Sequence, residues 1–358
     1  MSEVIHGAPA SNEATSRALH VQGRGKSLVV DIHCHLNVPA ADELMRPHVA
    51  GQLSIQSFSC PATDATNRQQ FQRIGRKLNV IDERIADMDR LGIDMQAISP
   101  VPTQYYYFAE PELGRQAARL VNEGIAAAVA RHPARLVGMG TVPLQAPELA
   151  VLEMRRCIHE LGMRGIEISS NVTGRELADS QFRPFFAAAE EAGVLLFLHP
   201  LGFTHGQRLS EHYLNNLIGN PLESAIALSH LIFGGVLERH PGLKLCVAHG
   251  GGYLPTYWGR MDHAWRERDD CRQFIKKPPS EYLRRLYFDT VVFDRRHLTF
   301  LLELYGAERL LMGTDYPFDM AEPDPLALHA KLDAGAREQI LGGNALRLLE
   351  LGAVANRA

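Results

Sequence analysis

The sequence predicts an α/β fold of the (β/α)8 TIM-like barrel type, and three observations predict it. Eight short apolar runs are spaced along the chain, each ending in polar residues. Amphipathic segments of helical period lie between them. The 358 residues carry no Pro/Ser-rich linker and no internal repeat, so one barrel of about 250 residues with additions suits the chain better than two modules.

The first run is residues 27–32 (SLVVDI) and the second 93–99 (IDMQAIS); 136–142, 165–169, 194–198, 243–248, 286–291 and 310–313 continue the series. None alternates strictly between apolar and polar, as expected of parallel strands covered on both faces. Helical patterns at 111–131, 147–160, 181–192, 222–238 and 336–351 separate them, with Gly193, Gly242 and Gly306 as punctuation. Strand then helix, eight times over, favours a closed barrel over an open doubly wound sheet. Residues 40–80 make an insertion after the first strand that is too long for a bare loop and reads as a small lid. Residues 1–26 read as a loose polar leader, since Glu3 and Glu13 interrupt any signal-peptide core. A single domain is expected over 27–358.

Composition narrows the function. With 37 Lys+Arg against 41 Asp+Glu, the net charge is −4 and no basic block stands out, which disfavours nucleic acid or an anionic membrane as partner. No apolar stretch approaches the roughly 18 residues of a membrane span. The five cysteines, Cys34, Cys60, Cys157, Cys246 and Cys271, form no CxxC pair. Reduced thiols in a cytoplasmic enzyme explain them better than a disulfide framework. Residues 250–252 are a glycine run that fits neither the P-loop nor the dinucleotide fingerprint, and they read as a tight turn leaving strand six.

The sharpest local signal is Asp31-Ile32-His33-Cys34-His35 at the end of the first strand. Strand side chains alternate, so His33 and His35 point the same way with Cβ atoms about 7 Å apart, and one metal ion can sit between them. A lone HxH is weak evidence. Its weight comes from His199, His249 and Asp315, each of which closes another apolar run. Four strand ends carrying ligand-type residues converge where barrel enzymes place their chemistry. His132 and His240 precede proline at helix ends, while His159, His230 and His297 fall in helical pattern, so none of these joins the set. No lysine occurs between Lys77 and Lys244, which excludes a two-metal site bridged by a fourth-strand lysine. The fourth strand carries Glu167 instead, a structural or supporting carboxylate. One metal is the reading.

Several longer segments carry a resemblance. They are His249-Gly-Gly-Gly, Gly259-Arg260-Met261-Asp262-His263-Ala264-Trp265-Arg266, Pro278-Pro279-Ser280-Glu281-Tyr282, Phe288-Asp289-Thr290-Val291-Val292-Phe293 and Gly313-Thr314-Asp315-Tyr316-Pro317-Phe318. With the four strand ends, they resemble the amidohydrolase superfamily in its mononuclear branch of decarboxylases like aminocarboxymuconate-semialdehyde decarboxylase. The resemblance implies one divalent metal, Zn2+ first and Mn2+ or Co2+ as alternatives, held by His33, His35, His199 and Asp315 with a water completing the shell. It implies that His249 is the catalytic acid/base, with Asp315 assisting. It also implies that Arg260 binds a substrate carboxylate, reaching across a homodimer into the neighbouring site; the planar fork of Arg suits that role. Of Arg68, Arg73 and Arg76 in the insertion, Arg73 is the candidate for a second such arginine.

The implied function is non-oxidative decarboxylation of a small unsaturated or aromatic acid of carboxymuconate-semialdehyde or hydroxybenzoate type. In that reaction the metal-bound water and His249 handle proton transfer. The alternative is a hydratase or lactonase-type hydrolase using metal-bound hydroxide as nucleophile, and a non-catalytic metal-binding scaffold comes last. The family's His-x-x-Pro is stretched here to His35-Leu36-Asn37-Val38-Pro39, and Leu36 lies near where a pocket aromatic is expected. The Tyr105-Tyr106-Tyr107 run reads as lid packing.

Overall fold

Strand β1 (Val30–Leu36) is buried along its whole length, and the barrel is built outward from it. The computed structural model describes residues 27–49 and 58–351; the leader over 1–26 and part of the 40–80 insertion lie outside the described residues. After β1 come α1 (Pro39–Met45), α2 (Pro61–Asn79) and α3 (Ile81–Leu91). Then follow β2 (Met95–Pro100), α4 (Pro111–Arg131), β3 (Leu136–Gly140), α5 (Pro147–His159) and β4 (Gly165–Ile168). A short hairpin, β5 (Asn171–Val172) with β6 (Arg175–Glu176), leads to α6 (Arg183–Ala192), β7 (Leu195–Leu198), α7 (Asn220–Phe233) and α8 (Val236–Arg239). The chain continues through β8 (Lys244–Val247), α9 (Leu254–Glu267), α10 (Pro279–Leu283), β9 (Tyr287–Asp289), α11 (Arg295–Tyr305) and β10 (Leu310–Leu311). It ends with α12 (Pro325–Leu328), α13 (Ala334–Glu338) and α14 (Asn344–Leu348).

The eight long-range strands lie in the order β1-β2-β3-β4-β7-β8-β9-β10, and every neighbouring pair is parallel. The two edges meet: Ile32 N donates to Met312 O at 2.9 Å and His35 N to Tyr316 O at 2.8 Å. Edge strands left open expose unpaired amides, and closure removes them. The fold is a (β/α)8 barrel, as the alternation of runs predicts.

Both faces of the sheet are apolar because each is covered. Alternate strand residues such as Val30, Met95, Met139, Leu195, Cys246 and Leu311 pack into one cluster with Ala345 and Leu348 of α14, which plugs the barrel from below. The intervening residues, among them Cys34, Ile98, Leu196, Leu245 and Phe288, belong to the larger core under the helices. Proline opens α2, α4 and α5 in the first turn, where its missing N–H has no intrahelical partner to lose.

Three expectations shift. The first strand begins at Val30 and runs through the histidines to Leu36 instead of ending at residue 32. The helix expected over 222–238 is two, because Gly235 takes φ +72° and stops α7 from continuing. The insertion is helical where it is described, with α1 and α2 preceding α3 as the helix that leads into β2.

Candidate metal centre

The pairing of β1 with β2 slips by one residue between Asp31 and Cys34. This is a β-bulge, which re-aims the strand. Before it, Val30 and Ile32 belong to the barrel interior; after it, Cys34 packs on the outer face and His33 and His35 turn inward, with the His33 ring 5.1 Å from that of interior Phe197. Strict alternation would have put the histidines opposite Val30 and Ile32. The bulge lets one strand give apolar residues to the barrel floor and two imidazoles to its mouth.

Each imidazole is oriented from behind. His33 Nδ1 donates to Asp289 Oδ2 at 2.6 Å, and His35 Nδ1 donates to the Pro100 carbonyl at 2.9 Å. Both Nδ1 atoms are therefore committed, and both Nε2 atoms face the mouth as acceptors, only 3.1 Å apart. Asp315 Oδ1 completes a triangle, 3.3 Å from His33 Nε2 and 3.2 Å from His35 Nε2. Three acceptors so close repel one another unless a proton or a cation lies among them. Ligands held about 2.0–2.1 Å from a tetrahedral zinc sit roughly 3.3 Å apart, so the triangle has the edge length of a coordination shell.

His199, just beyond β7, adds a fourth donor. Both its ring nitrogens are buried without a hydrogen-bond partner, and its ring centroid is 4.9 Å from those of both His33 and His35. Buried polar atoms are rarely left unsatisfied, and an unmet imidazole here fits a metal ligand. One ligand atom each from His33, His199, His249 and Asp315 lies within 4.8 Å of the others. His249 differs from the rest in two ways: its Nε2 is 3.5 Å from Asp315 Oδ2, the oxygen outside the triangle, and its side chain is 15% exposed where those of His33 and His35 are fully buried. The donor set, three imidazoles and a carboxylate with His249 beside them, fits one divalent ion.

Backbone geometry confirms how tightly the mouth is drawn together. His249 and Asp315 adopt φ +56° and +65°, a left-handed conformation that non-glycine residues hold only when their surroundings demand it. Gly313 permits the approach of β1 to β10, since a Cβ there would stand 2.9 Å from His33 Cβ. Gly252, closing the glycine turn after His249, has φ +68° and would place a Cβ 2.3 Å from the Pro221 carbonyl oxygen.

The electrostatics follow from burial and from mutual contact. Burial opposes charge on His33, but the Asp315 and Asp289 carboxylates raise its pKa well above the ordinary histidine value. Burial and the neighbouring imidazoles drive His199 well below it, which keeps the ring neutral and one nitrogen lone pair free. Burial also works against Asp315, yet the surrounding histidines hold its carboxyl well below the usual range. Glu167 is buried on β4, which raises its pKa; it accepts from Tyr105 Oη at 2.6 Å and sits 3.9 Å from His35 Nδ1. Tyr105, Tyr106 and Tyr107 are all buried. Tyr106 Oη donates to Asp42 of the insertion at 2.7 Å, whereas Tyr105 turns to Glu167 and the Tyr107 hydroxyl accepts from Ser169 N at 3.5 Å, so only Tyr106 of the three is tied to the insertion by its hydroxyl.

The predicted arginines stand apart from this cluster in different ways. Arg260 is exposed on α9 and Arg73 exposed on α2, neither ion-paired among the described residues; Arg76 pairs with Glu83 at 2.5 Å. Asp289, which holds His33 from behind, is the residue of this cluster that sequence reasoning did not single out. The rule that found His199 and His249, a polar residue closing an apolar run, also points to it.

The chain matches the family model described as amidohydrolase over residues 30–351. It is 36% identical, over 91% of its own length and 92% of the relative's, to 2-amino-3-carboxymuconate-6-semialdehyde decarboxylase of Dictyostelium discoideum. Among solved structures it is similar to 5-carboxyvanillate decarboxylase from Sphingomonas paucimobilis, at 26% identity and a TM-score of 0.80, covering 91% of this chain and 99% of that one. It is also similar to 5-carboxyvanillate decarboxylase from Novosphingobium aromaticivorans, complexed with manganese and 4-hydroxy-3-methoxy-5-nitrobenzoic acid. There the identity is 25% and the TM-score 0.78, over 93% of this chain and 99% of that one.

Proposed function

The chain belongs to the amidohydrolase family, and from that premise we propose that it is a metal-dependent, non-oxidative decarboxylase of a small aromatic or unsaturated carboxylic acid. The observation that carries this reading is the triangle of His33 Nε2, His35 Nε2 and Asp315 Oδ1 at 3.1–3.3 Å, with His249 held against the second Asp315 oxygen. His33, His35, His199 and Asp315 would hold the ion. Bound there, a divalent metal supplies Lewis acidity to an oxygen of the substrate and lowers the pKa of water. Three nitrogens and one oxygen suit Zn2+ first, with Mn2+ and Co2+ as alternatives.

The chain's own residues do the rest. As the carboxylate leaves as CO2, its bonding pair remains on carbon, and His249 is the group that delivers a proton to that carbon. Imidazole exchanges protons near neutral pH, and His249 alone among the clustered histidines reaches partly into the open mouth. Asp315 Oδ2 steadies the His249 ring during the exchange. Asp289 fixes the His33 tautomer, as acceptors behind metal-binding histidines do. Arg260 and Arg73 would grip the substrate carboxylates. We place Arg260 in the neighbouring site of a homodimer, a reading supported by its unpaired exposure and by exposed Tyr253 and Tyr257 nearby on the chain. No helix among the described residues is long and apolar enough to cross a membrane, and the five cysteines are unpaired; a reducing cytoplasm is the proposed compartment.

The test is to incubate zinc-loaded protein with carboxymuconate semialdehydes, hydroxybenzoates, lactones and unsaturated diacids while following substrate mass. Loss of CO2 from one member, abolished by chelation and restored by metal, is expected. Gain of water without loss of CO2 would overturn decarboxylation and make the enzyme a hydratase or hydrolase.

A further inference from the structure

The largest fully buried side chain in the described residues is a charged one. Arg84 of α3 has no exposed surface, and no carboxylate pairs with it among the described residues. A buried, unpaired cation is costly, so what its hydrogen bonds hold is informative. One terminal nitrogen donates to Gln96 Oε1 at 3.0 Å; the other donates to the His35 carbonyl and, at 3.5 Å, to that of Lys77. The guanidinium stacks on Tyr316, 4.8 Å from the ring centroid.

These contacts converge on the two segments that carry His33, His35 and Asp315. Gln96 passes the connection inward, donating to Asp31 Oδ2 at 2.9 Å. Asp31 in turn accepts from His33 N at 3.1 Å, Thr314 N at 3.0 Å and Thr314 Oγ1 at 2.6 Å. Tyr316, the residue after Asp315, is also tied to α3 through its hydroxyl, which donates to Asp87 at 2.8 Å. The seam where β1 meets the chain after β10 is therefore braced from outside the barrel by one planar fork. Arg can do this because its donors lie in fixed directions and its face stacks on an aromatic ring; Lys has neither property.

We propose that Arg84 is a positioning residue for the metal centre: through the His35 carbonyl, the Gln96–Asp31 relay and the Tyr316 ring, it holds His33, His35 and Asp315 at coordination distance. This rests on the reading that the cluster binds a metal. Removing a brace that merely stabilised the fold would lower the unfolding midpoint and leave the affinity of folded molecules unchanged. A positioning residue sets that affinity.

The experiment is a Zn2+ titration of the full chain against a chromophoric chelator, comparing wild type with Arg84→Met, Arg84→Lys and Gln96→Met, alongside thermal midpoints of the metal-free proteins. Arg84→Met is expected to weaken Zn2+ binding about 10- to 100-fold, the range seen when groups behind metal ligands are removed; Arg84→Lys and Gln96→Met should fall between it and wild type. Leu231→Ala, a core truncation in α7, serves as a control that lowers the midpoint and leaves affinity within twofold. If Arg84→Met does not fold, Arg84→Lys and Gln96→Met decide the matter. Affinities of these variants within twofold of wild type would overturn the proposal. A wild-type protein that binds no Zn2+, Mn2+ or Co2+ would remove the metal reading itself and this inference with it.

Discussion

Replacing Asp289 by asparagine keeps the shape of the side chain and reverses the polarity of one atom. Asp289 Oδ1 accepts from Gly250 N at 2.8 Å and Val291 N at 3.2 Å, while Oδ2 accepts from His33 Nδ1 at 2.6 Å. In Asp289→Asn the carboxamide oxygen must stay on the two backbone amides, so its NH2 group faces His33 Nδ1. That contact then favours the tautomer protonated on Nε2, the wrong one for a ligand. A charge-assisted hydrogen bond is worth about 1.5–3 kcal/mol. The loss behind a metal-binding imidazole commonly runs to about 10- to 100-fold in affinity, or roughly 1.4–2.7 kcal/mol. The two figures agree, so Asp289→Asn should bind Zn2+ at least tenfold more weakly in a competition titration, with turnover falling in parallel at subsaturating metal. Affinity within twofold of wild type would refute the assignment of Asp289 as the group that orients His33.

Three further outcomes are expected. His249→Ala should retain one equivalent of metal by elemental analysis while turnover falls about 10²- to 10⁴-fold, the usual contribution of a general acid; full turnover would remove His249 from the chemistry. Glu223 on α7 is buried, which pushes its pKa up to about 7 despite the Asn171 hydrogen bond. A raised carboxyl contributes stability that is fully present below its unfolded pKa and lost as pH rises through the folded value, a loss of about 3 kcal/mol. Urea melts at pH 5 and pH 8 should therefore show Glu223→Gln gaining on wild type at the higher pH, and parallel curves would count against it. Gly252→Ala should destabilise by about 2–4 kcal/mol, since its Cβ meets a backbone oxygen in a left-handed conformation; a thermal midpoint equal to wild type would contradict that geometry.

Most of the mouth of this barrel was legible in one dimension because its signals are local. An apolar run that ends in His or Asp marks a buried parallel strand and its functional end at the same time, and this located His33, His35, His199, His249 and Asp315. The tight turn at residues 250–252 was legible for the same reason, since its three glycines adopt positive φ without strain. Other features had no such signature. Arg84 sits in an ordinary amphipathic helix, and nothing in ERIADMD distinguishes an arginine aimed at the barrel seam from one in solvent. Gln96 and Asp31 become a relay only when β2 lies beside β1. The bulge between Asp31 and Cys34 is a register slip between two strands separated by some sixty residues, and a period-2 reading of one strand cannot contain it.

The sequence by itself therefore determined the class of fold, the strand ends and the chemical identity of the groups gathered there, because burial pattern and turn chemistry are properties of neighbouring residues. Only the tertiary structure decided which nitrogen His33 and His35 present, which Asp315 oxygen faces His249, and what braces the seam. Those properties depend on hydrogen-bond partners far away in the chain, such as Asp289 for His33, Pro100 for His35, and Arg84 for the strand that carries both. A tautomer is chosen by the acceptor behind the ring, and that acceptor reaches His33 only when the barrel closes.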